Sequence, residues 1–506
     1  MKKRGFNWIK YLVLLLQLIG IIAFIIAMVF LSYSISKDYI WFVFIGLYIH
    51  NFIVVIILYA QNRNDHKKLQ WLFLVIILPI IGHIIFLTFG LIYKNKLANK
   101  LDEDHKYKLD FYEQKGIVKS SERASKVINQ LAHIEGNNYY PADIKFFQEG
   151  HYYYEDLFEQ IQQARESIFI VSYIVRKSEI FDHLYSLLKQ KLEEGVKVKW
   201  IIDDFGGTTW AKGRIRGLKK FGLEYSILGK IYYPFINAKS FSRNHQKIFI
   251  IDSKIVYTGG SNISDEYISL SPQFGHWIDL NYRLVGPIVN RYTLNFLKTW
   301  HVVTKKEVPK IEKYLFFDFY YDLNNFENDV ISVFDTPNTP HSEAELYWIK
   351  LFGSAQDTIE IVTPYFSITE SLKNSIIVAL KSGVNITIYF SGLPDKKIVH
   401  SISLSQLKEL QVYGLNIRIC SDVFVHSKIG LVDGKIAWTG SNNMDSRSMF
   451  SQYESMDIFS GTSIKYIRQI IDQYHKISID INDHPTYSQE PSKVTKFFYD
   501  WAKPII

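Results

Sequence analysis

A chain of 506 residues has room for several buried cores, and its single cysteine, Cys420, excludes an intrachain disulfide and any cysteine-based metal site. The formal charge of +8 hints at nucleic acid, but it is concentrated at one end: residues 1–100 hold eleven Lys/Arg against two Asp, a net of +9, which leaves −1 for residues 101–506. That distribution argues against a nucleic-acid partner and ties the charge to apolar segments, where it sets topology and meets anionic headgroups.

Three apolar runs open the chain: Tyr11–Ser34, Tyr39–Ala60 and Leu69–Tyr93. Each reaches the roughly 20 residues that cross a bilayer. The first is too long for a cleaved signal peptide and lacks a small-residue cleavage site. Residues 1–100 are therefore expected to be a membrane anchor with two to three transmembrane helices, the third kinked at Pro79 and Gly82. His50 and His83 fall inside these runs and read as helix–helix contacts, while Trp41, Phe42, Phe44 and Tyr48 suit an interfacial belt. The N-terminal charges and the first two loops place the N-terminus inside. Lys94, Lys96 and Lys100 place the following region inside as well. Both hold only if one segment does not cross; otherwise the N-terminus lies outside. The expectation is a multi-pass protein of the cell membrane with its large region on the cytoplasmic side.

Residues 101–130 are polar and read as a linker with helical character. Beyond them the chain repeats itself. Ala164–Ser172 matches Ala355–Thr363, Leu192–Lys199 matches Leu380–Thr387, and Asn244–Asp252 matches Val425–Asp433, at offsets of 191, 188 and 181. Each pair reads as a helix running into a buried strand, with Gly195 and Gly383 stopping the helices. Strand–helix alternation predicts two tandem α/β domains, 131–325 and 326–506, each a mixed sheet flanked by helices, with the boundary in Asp322–Glu343. Cys420 reads as a small core residue on a strand.

Each half contains one His-x-Lys-x4-Asp motif, His245, Lys247 and Asp252 in the first and His426, Lys428 and Asp433 in the second. An asparagine follows ten residues after each Asp, at Asn262 and Asn443. On a strand, residues i and i+2 share a face, so each His and its Lys project together. Asp252–Lys254 and Asp433–Lys435 read as hairpin turns that bring each Asn back beside its His. The two Asp count as catalytic candidates, with turn formation as an equal alternative. Two such hairpins facing each other surround one anion with two imidazoles, two ammonium groups and two amides. A phosphodiester needs that set: the cations and amides bind its non-bridging oxygens, one imidazole attacks phosphorus, and the other protonates the leaving alkoxide. This chemistry calls for no metal and no cofactor. Asp279 and Glu454 are candidates for orienting the histidines, with surface ion pairing as the alternative for each.

These residues resemble the phospholipase D superfamily, and within it the bacterial cardiolipin synthases. The paired His-Lys-Asp motifs carry the first resemblance. The second rests on Arg243–His245 with Gly259–Tyr267, Asn443–Ser448, Asp203–Gly206, Thr363–Phe366 and Trp71–Gly82. The resemblance implies two phospholipase D-like domains sharing one pseudo-twofold active site. It also implies phosphatidyl transfer between two phosphatidylglycerol molecules, giving cardiolipin and glycerol, with His245 as nucleophile and His426 as acid and base. Ile278, where that family usually has Arg, and Ser421–Val423, which lacks the usual Gly, bear on substrate preference. From Lys212 to Lys247 there are nine Lys/Arg and one Glu, interleaved with Phe221, Tyr225, Tyr232, Tyr233 and Phe235. Such a stretch fits anionic membrane lipid as a partner; no protein partner is legible. A phospholipid hydrolase, with water as acceptor, uses the same residues and stands as the alternative. A membrane-tethered nuclease fits the near-neutral second part poorly, and a non-catalytic scaffold fits two intact motifs poorly.

Overall fold

The computed structural model describes Ile26, Phe30 and residues 40–61, 65–78, 81–90, 95–113, 126–134, 136, 138–231, 238–270, 275–315, 326–338 and 341–489. The chain divides into two compact units, Met1–Tyr93 with Ile231–Phe241, and Lys94–Lys230 with Ser242–Ile506.

In the first unit, helix Ile40–Ala60 runs for 21 residues without an Asp, Glu, Lys or Arg. Trp41, Phe42, Tyr48 and Phe52 on it are exposed. The third apolar run is broken rather than continuous. One helix covers Asp65–Ile77, and a second covers Ile81–Ile85 and runs into a π-helical turn at Phe86–Gly90. The interruption falls at the position where the sequence places its kink. Gly82 permits the close return, since a Cβ there would stand 2.9 Å from the Leu74 carbonyl carbon. The His50 and His83 rings meet with centroids 4.7 Å apart. Among the described residues no helix is long and apolar enough to cross a membrane. Four side chains of Ile40–Ala60, those of Ile40, Val43, Phe44 and Leu47, lie outside the described set, as does nearly all of Tyr11–Ser34. The multi-pass anchor is therefore not established by the fold.

The second unit is built on one large sheet with two two-stranded sheets beside it. Its first half contributes β1 (Tyr140–Phe147), β2 (Ser167–Ser172), β3 (Lys197–Asp203), β4 (Glu224–Leu228), β5 (Arg243–Asn244), β6 (Ile248–Ile251), β7 (Ile255–Gly259), β8 (His276–Ile278) and β9 (Asn281–Val285). Its second half contributes β10 (Asn328–Asp335), β11 (Thr358–Thr363), β12 (Phe366–Ser367), β13 (Asn385–Ser391), β14 (Asn416–Cys420), β15 (Val423–Val425), β16 (Ile429–Val432), β17 (Ile436–Gly440), β18 (Met444–Asp445), β19 (Gln452–Gly461) and β20 (Ser478–Asp480). The spatial order is β4-β3-β2-β6-β7-β9-β1 and then β10-β19-β17-β16-β11-β13-β14-β20. Antiparallel pairing of β1 with β10 (Tyr140 opposite Val330) closes the seam between the halves.

The two halves follow one plan. β2, β3 and β4 are parallel, as are β11, β13 and β14, and in each half an antiparallel hairpin, β6–β7 or β16–β17, lies beside them. The parallel strands need crossover helices. Helix Glu179–Glu193 starts at the Ser178 cap and ends before Gly195 at φ +89°; its counterpart Glu370–Lys381 starts at the Thr369 cap and ends before Gly383 at φ +94°. Both glycine stops are therefore real. Helices cover the sheet on both faces, so β2 is buried at every position.

One core cluster draws on both halves, joining Ile248, Val256 and Tyr282 to Val362, Ile429 and Ala437. At its centre Asp457 accepts hydrogen bonds from Tyr282 (2.6 Å), Tyr292 (2.5 Å) and Ser332. The polar stretch read as a linker also packs. Leu101, Tyr107, Leu109 and Tyr112 join that shared core, and Ile128 joins the core of the second half. Cys420 is buried on β14, and burial pushes its thiol up to about 12.

Candidate active site

The antiparallel register of β2 on β6 sets Val171 opposite Ile248. The residues just before β6 thus emerge at the carboxyl end of β2 and β3, the usual place for a site in an α/β sheet. His245, Gln246 and Lys247 occupy that position, and His426, Ser427 and Lys428 occupy the same position before β16. All six are buried.

The approach to each histidine is fixed by the opposite half. β5 pairs in parallel with β19, and the His245 N–H donates to the Tyr453 carbonyl at 2.9 Å. β15 pairs in parallel with β8, and the His426 N–H donates to the Ile278 carbonyl at 2.8 Å. The Ile278 backbone does this work, so the missing Arg at that position leaves the histidine's placement intact. Buried Asp203, at the end of β3, holds the His245 segment from its own half: it accepts from Asn244 N at 2.9 Å and pairs with Arg243 at 3.3 Å.

The two candidate carboxylates are both brought to the histidines, and they cross over. Glu454, on β19 of the second half, meets Nδ1 of His245 at 2.9 and 3.1 Å. Asp279, beside β9 of the first half, meets Nδ1 of His426 at 2.6 Å. Each contact frees Nε2 of the ring for chemistry. Gly260 makes room for one dyad: a Cβ there would sit 2.5 Å from the Asp279 carboxyl carbon and nearer still to both oxygens. Its counterpart at an offset of 181 is Ser441, whose hydroxyl donates to Glu454 at 2.5 Å. Neither position was assigned a role at the site from the sequence. The repeat offset is the signal that pairs them.

Lys247 Nζ donates to the His245 carbonyl at 2.5 Å, and Lys428 Nζ lies 3.1 Å from Nδ1 of His426 and donates to its carbonyl. Burial pulls Lys247 down to about 7 and lowers Lys428 as well. The imidazoles are pushed in the same direction. Burial, then Lys247 and Lys428, hold His245 well below its usual value, and burial with Lys428 takes His426 to about 4. The carboxylates diverge. Burial pushes Glu454 up to about 8, whereas His426 and Lys428 outweigh burial and hold Asp279 below the usual range. The surroundings differ too. Trp277 and Tyr267 pack on His426 at 5.0 and 5.9 Å, while Tyr173 packs edge-on against His245 at 5.0 Å.

The two asparagines are buried, with much of their hydrogen-bonding capacity used. Asn262 accepts from Ile174 N at 3.1 Å and donates to the Tyr267 hydroxyl at 2.5 Å. Asn443 donates to Ser448 at 3.3 Å, and its side-chain oxygen is buried without a partner among the described residues. A carboxamide has two N–H groups, so each retains one for an anion.

Of the two roles open to Asp252 and Asp433, their contacts favour turn formation. They lie seven residues past their histidines across a strand, about 20 Å at 3.3 Å per residue. Asp252 accepts from the amides of Arg165, Glu166 and Ser167, each at 2.8 Å, and Asp433 accepts from Gln356, Asp357 and Thr358 at 2.8–2.9 Å. Both adopt positive φ, 51° and 50°. They clamp the start of β2 and β11 to the hairpin turns, and the alternative of turn formation is the one the structure supports.

Two buried imidazoles, each with a carboxylate from the other half and each beside an ammonium, have the make-up of a two-histidine acid–base centre. A family model described as "Cardiolipin synthase, PLD-like domain" matches residues 157–300 and 348–477, and an N-terminal "Phospholipase_D-nuclease" model matches residues 51–90. A cardiolipin synthase from Halalkalibacterium halodurans is 31% identical over 409 residues, covering 79% of this chain and 80% of that one. One from Staphylococcus aureus is 28% identical over 431 residues, covering 81% and 85%. The crystal structure of a phosphatidylserine synthase from Haemophilus influenzae superposes with a TM-score of 0.58 at 15% identity, over 75% of this chain and 97% of that one, which relates the folds. The chain belongs to the cardiolipin synthase family of phospholipase D-like proteins, and it is an enzyme of the phosphatidyltransferase type.

Proposed function

We propose that the protein is a cardiolipin synthase that transfers the phosphatidyl group of one phosphatidylglycerol to a second, releasing glycerol, through a phosphohistidine on His245. The observation that carries this reading is the crossed pair of carboxylate–histidine contacts around two buried ammonium groups. The arriving phosphodiester anion meets Lys247 and Lys428, whose charge offsets that of its non-bridging oxygens. Asn262 and Asn443 each supply an N–H. Nε2 of His245 attacks phosphorus, the bond to the glycerol oxygen breaks, and His426 gives that oxygen its proton. Glu454 accepts from Nδ1 as the attacking ring becomes cationic. His426 then takes the proton of the incoming hydroxyl, whose oxygen displaces His245 from phosphorus.

Within this reading, residues 1–100 form a membrane anchor, 101–130 connect it, and 131–325 and 326–506 are the two phospholipase D-like domains. The apolar helix Ile40–Ala60 and the N-terminal family match support placement in the cell membrane. The lysines at 94, 96 and 100 support a cytoplasmic catalytic region. Labelled phosphatidylglycerol supplied to membranes with wild type, His245→Ala or His426→Ala tests the activity. Cardiolipin and free glycerol are expected from wild type alone, and a lipid adduct is expected to map to His245. Phosphatidic acid as the main wild-type product would favour the hydrolase.

A further inference from the structure

We propose that Arg447 binds the phosphodiester of the acceptor lipid and so selects an alcohol that is itself anionic over water or a neutral alcohol. This rests on the transferase reading above. Cardiolipin formation brings two phosphodiesters to one centre, and the buried cations Lys247 and Lys428 serve only the one being cleaved.

Arg447 lies on helix Ser446–Ser451, shortly after Asn443. Its neighbours on the helix, Ser446 and Ser448, are buried, and Ser448 hydrogen-bonds Asn443 and Gln452. The arginine between them is exposed. It has no hydrogen-bond or ion-pair partner among the described residues. Other arginines in this unit are engaged: Arg176 with Glu266, Arg243 with Asp203, Arg283 with Asp156 and Arg468 with Glu360. Its charge nevertheless reaches the site, lowering the proton affinity of both His245 and Tyr173. The first half has no equivalent. The residue at the same place in the repeat is Glu266, already neutralised by Arg176. An exposed guanidinium present in only one of two pseudo-equivalent halves suits a single second anion, bound in the bidentate manner that phosphate favours.

The acceptor's phosphate on Arg447 would hold its glycerol hydroxyl toward the phosphohistidine. The hydroxyl oxygen bonds to phosphorus, the phosphorus–nitrogen bond breaks with its electron pair returning to His245, and the hydroxyl proton passes to His426. No other reactant is needed.

The test uses the full chain in mixed micelles with labelled phosphatidylglycerol, comparing wild type, Arg447→Ala, Arg447→Lys and, as a control, Arg165→Ala at the far end of the sheet. Adduct formation and the first glycerol release report the donor step, and the ratio of cardiolipin to phosphatidic acid reports acceptor choice. Loss of a charge-assisted contact predicts a rise of about 10- to 100-fold in KM for the acceptor lipid in Arg447→Ala. Product should shift to phosphatidic acid, or to the transfer product of an added neutral alcohol. Adduct formation should change by less than about 3-fold, and Arg447→Lys should recover part of the ratio. An unchanged product ratio would overturn the proposal. So would an equal fall in adduct formation, which would assign Arg447 to the donor or to folding. If wild type makes no cardiolipin, the transferase reading fails first.

Discussion

Alanine at position 260 tests the crossed dyads at the point of tightest packing. A Cβ on Gly260 falls 2.5 Å from the Asp279 carboxyl carbon, whereas ordinary contact begins near 3.4 Å, so something must move by about 1 Å. Asp279 is a short, buried side chain that also accepts from Leu280 N at 2.8 Å. The backbone of β9 cannot yield without breaking its pairing with β7, which sets Gly259 opposite Asn281. The carboxylate therefore leaves Nδ1 of His426. Misplacing a catalytic group by that distance costs about 100-fold in rate, while overpacking of this kind costs about 1–3 kcal/mol of stability. Gly260→Ala is expected to fold, with a modestly lowered Tm, and to form the lipid adduct about 100-fold more slowly than wild type. The deficit should shrink on a donor with an acidic leaving group, such as a phosphatidyl nitrophenol, which needs little protonation by His426. Equal slowing on both donors would show that His426 is not the acid. Unimpaired activity would show that Asp279 does not hold it. Ser441→Ala at the matching position removes a hydroxyl instead of adding bulk. It should cost about 1 kcal/mol, or roughly 5-fold, through Glu454.

Asp252→Ala and Asp433→Ala should each lower stability by about 1–3 kcal/mol in denaturant titration, with kcat kept within about 3-fold of wild type, since each loses amide clamps far from the histidines. A collapse of kcat at unchanged stability would restore a catalytic role. Asp433 is held below the usual carboxylate range against burial by three backbone amides; its contribution is therefore present above about pH 4 and lost as pH falls through its folded value. Glu454 runs the other way. Raised to about 8 by burial, it favours folding below its unfolded value and loses that contribution as pH rises toward 8. Glu454→Gln should accordingly flatten the decline in Tm between about pH 5 and 8, and an unchanged slope would refute the assignment. For turnover, a bell-shaped profile is expected, because one imidazole must be neutral while the other carries the proton; a flat profile across about pH 5–9 would count against the two-histidine scheme.

The repeat made much of this legible. Offsets of 191, 188 and 181 located β2 with β11 and β6 with β16, and the spacing of His245 to Lys247 gave a shared face without any coordinates. Glu454 and Asp279 were named as partners because they are downstream carboxylates. Which histidine each serves was not legible, since the choice depends on β5 pairing with β19 and β15 with β8, contacts between halves that no local pattern encodes. The even choice between a catalytic and a turn role for Asp252 and Asp433 was open for the same reason. A motif records spacing, and spacing does not say at which end of a strand a residue is used. The third apolar run read as one span because composition hides direction, whereas Gly82 lets the chain fold back after Ile77.

The exchange of carboxylates between halves bears on how the chain is made. A ribosome that has released residues up to β9 has exposed His245, Lys247 and Asp279, yet neither histidine has its partner. His426 arrives later, and Glu454 later still, on a strand that pairs with β10, the second-half strand that meets β1 at the seam. A nascent protein beside its own membrane therefore bears no competent lipid-cleaving centre until nearly the whole second half has emerged. A chain that ends before Glu454 lacks the same contact to His245.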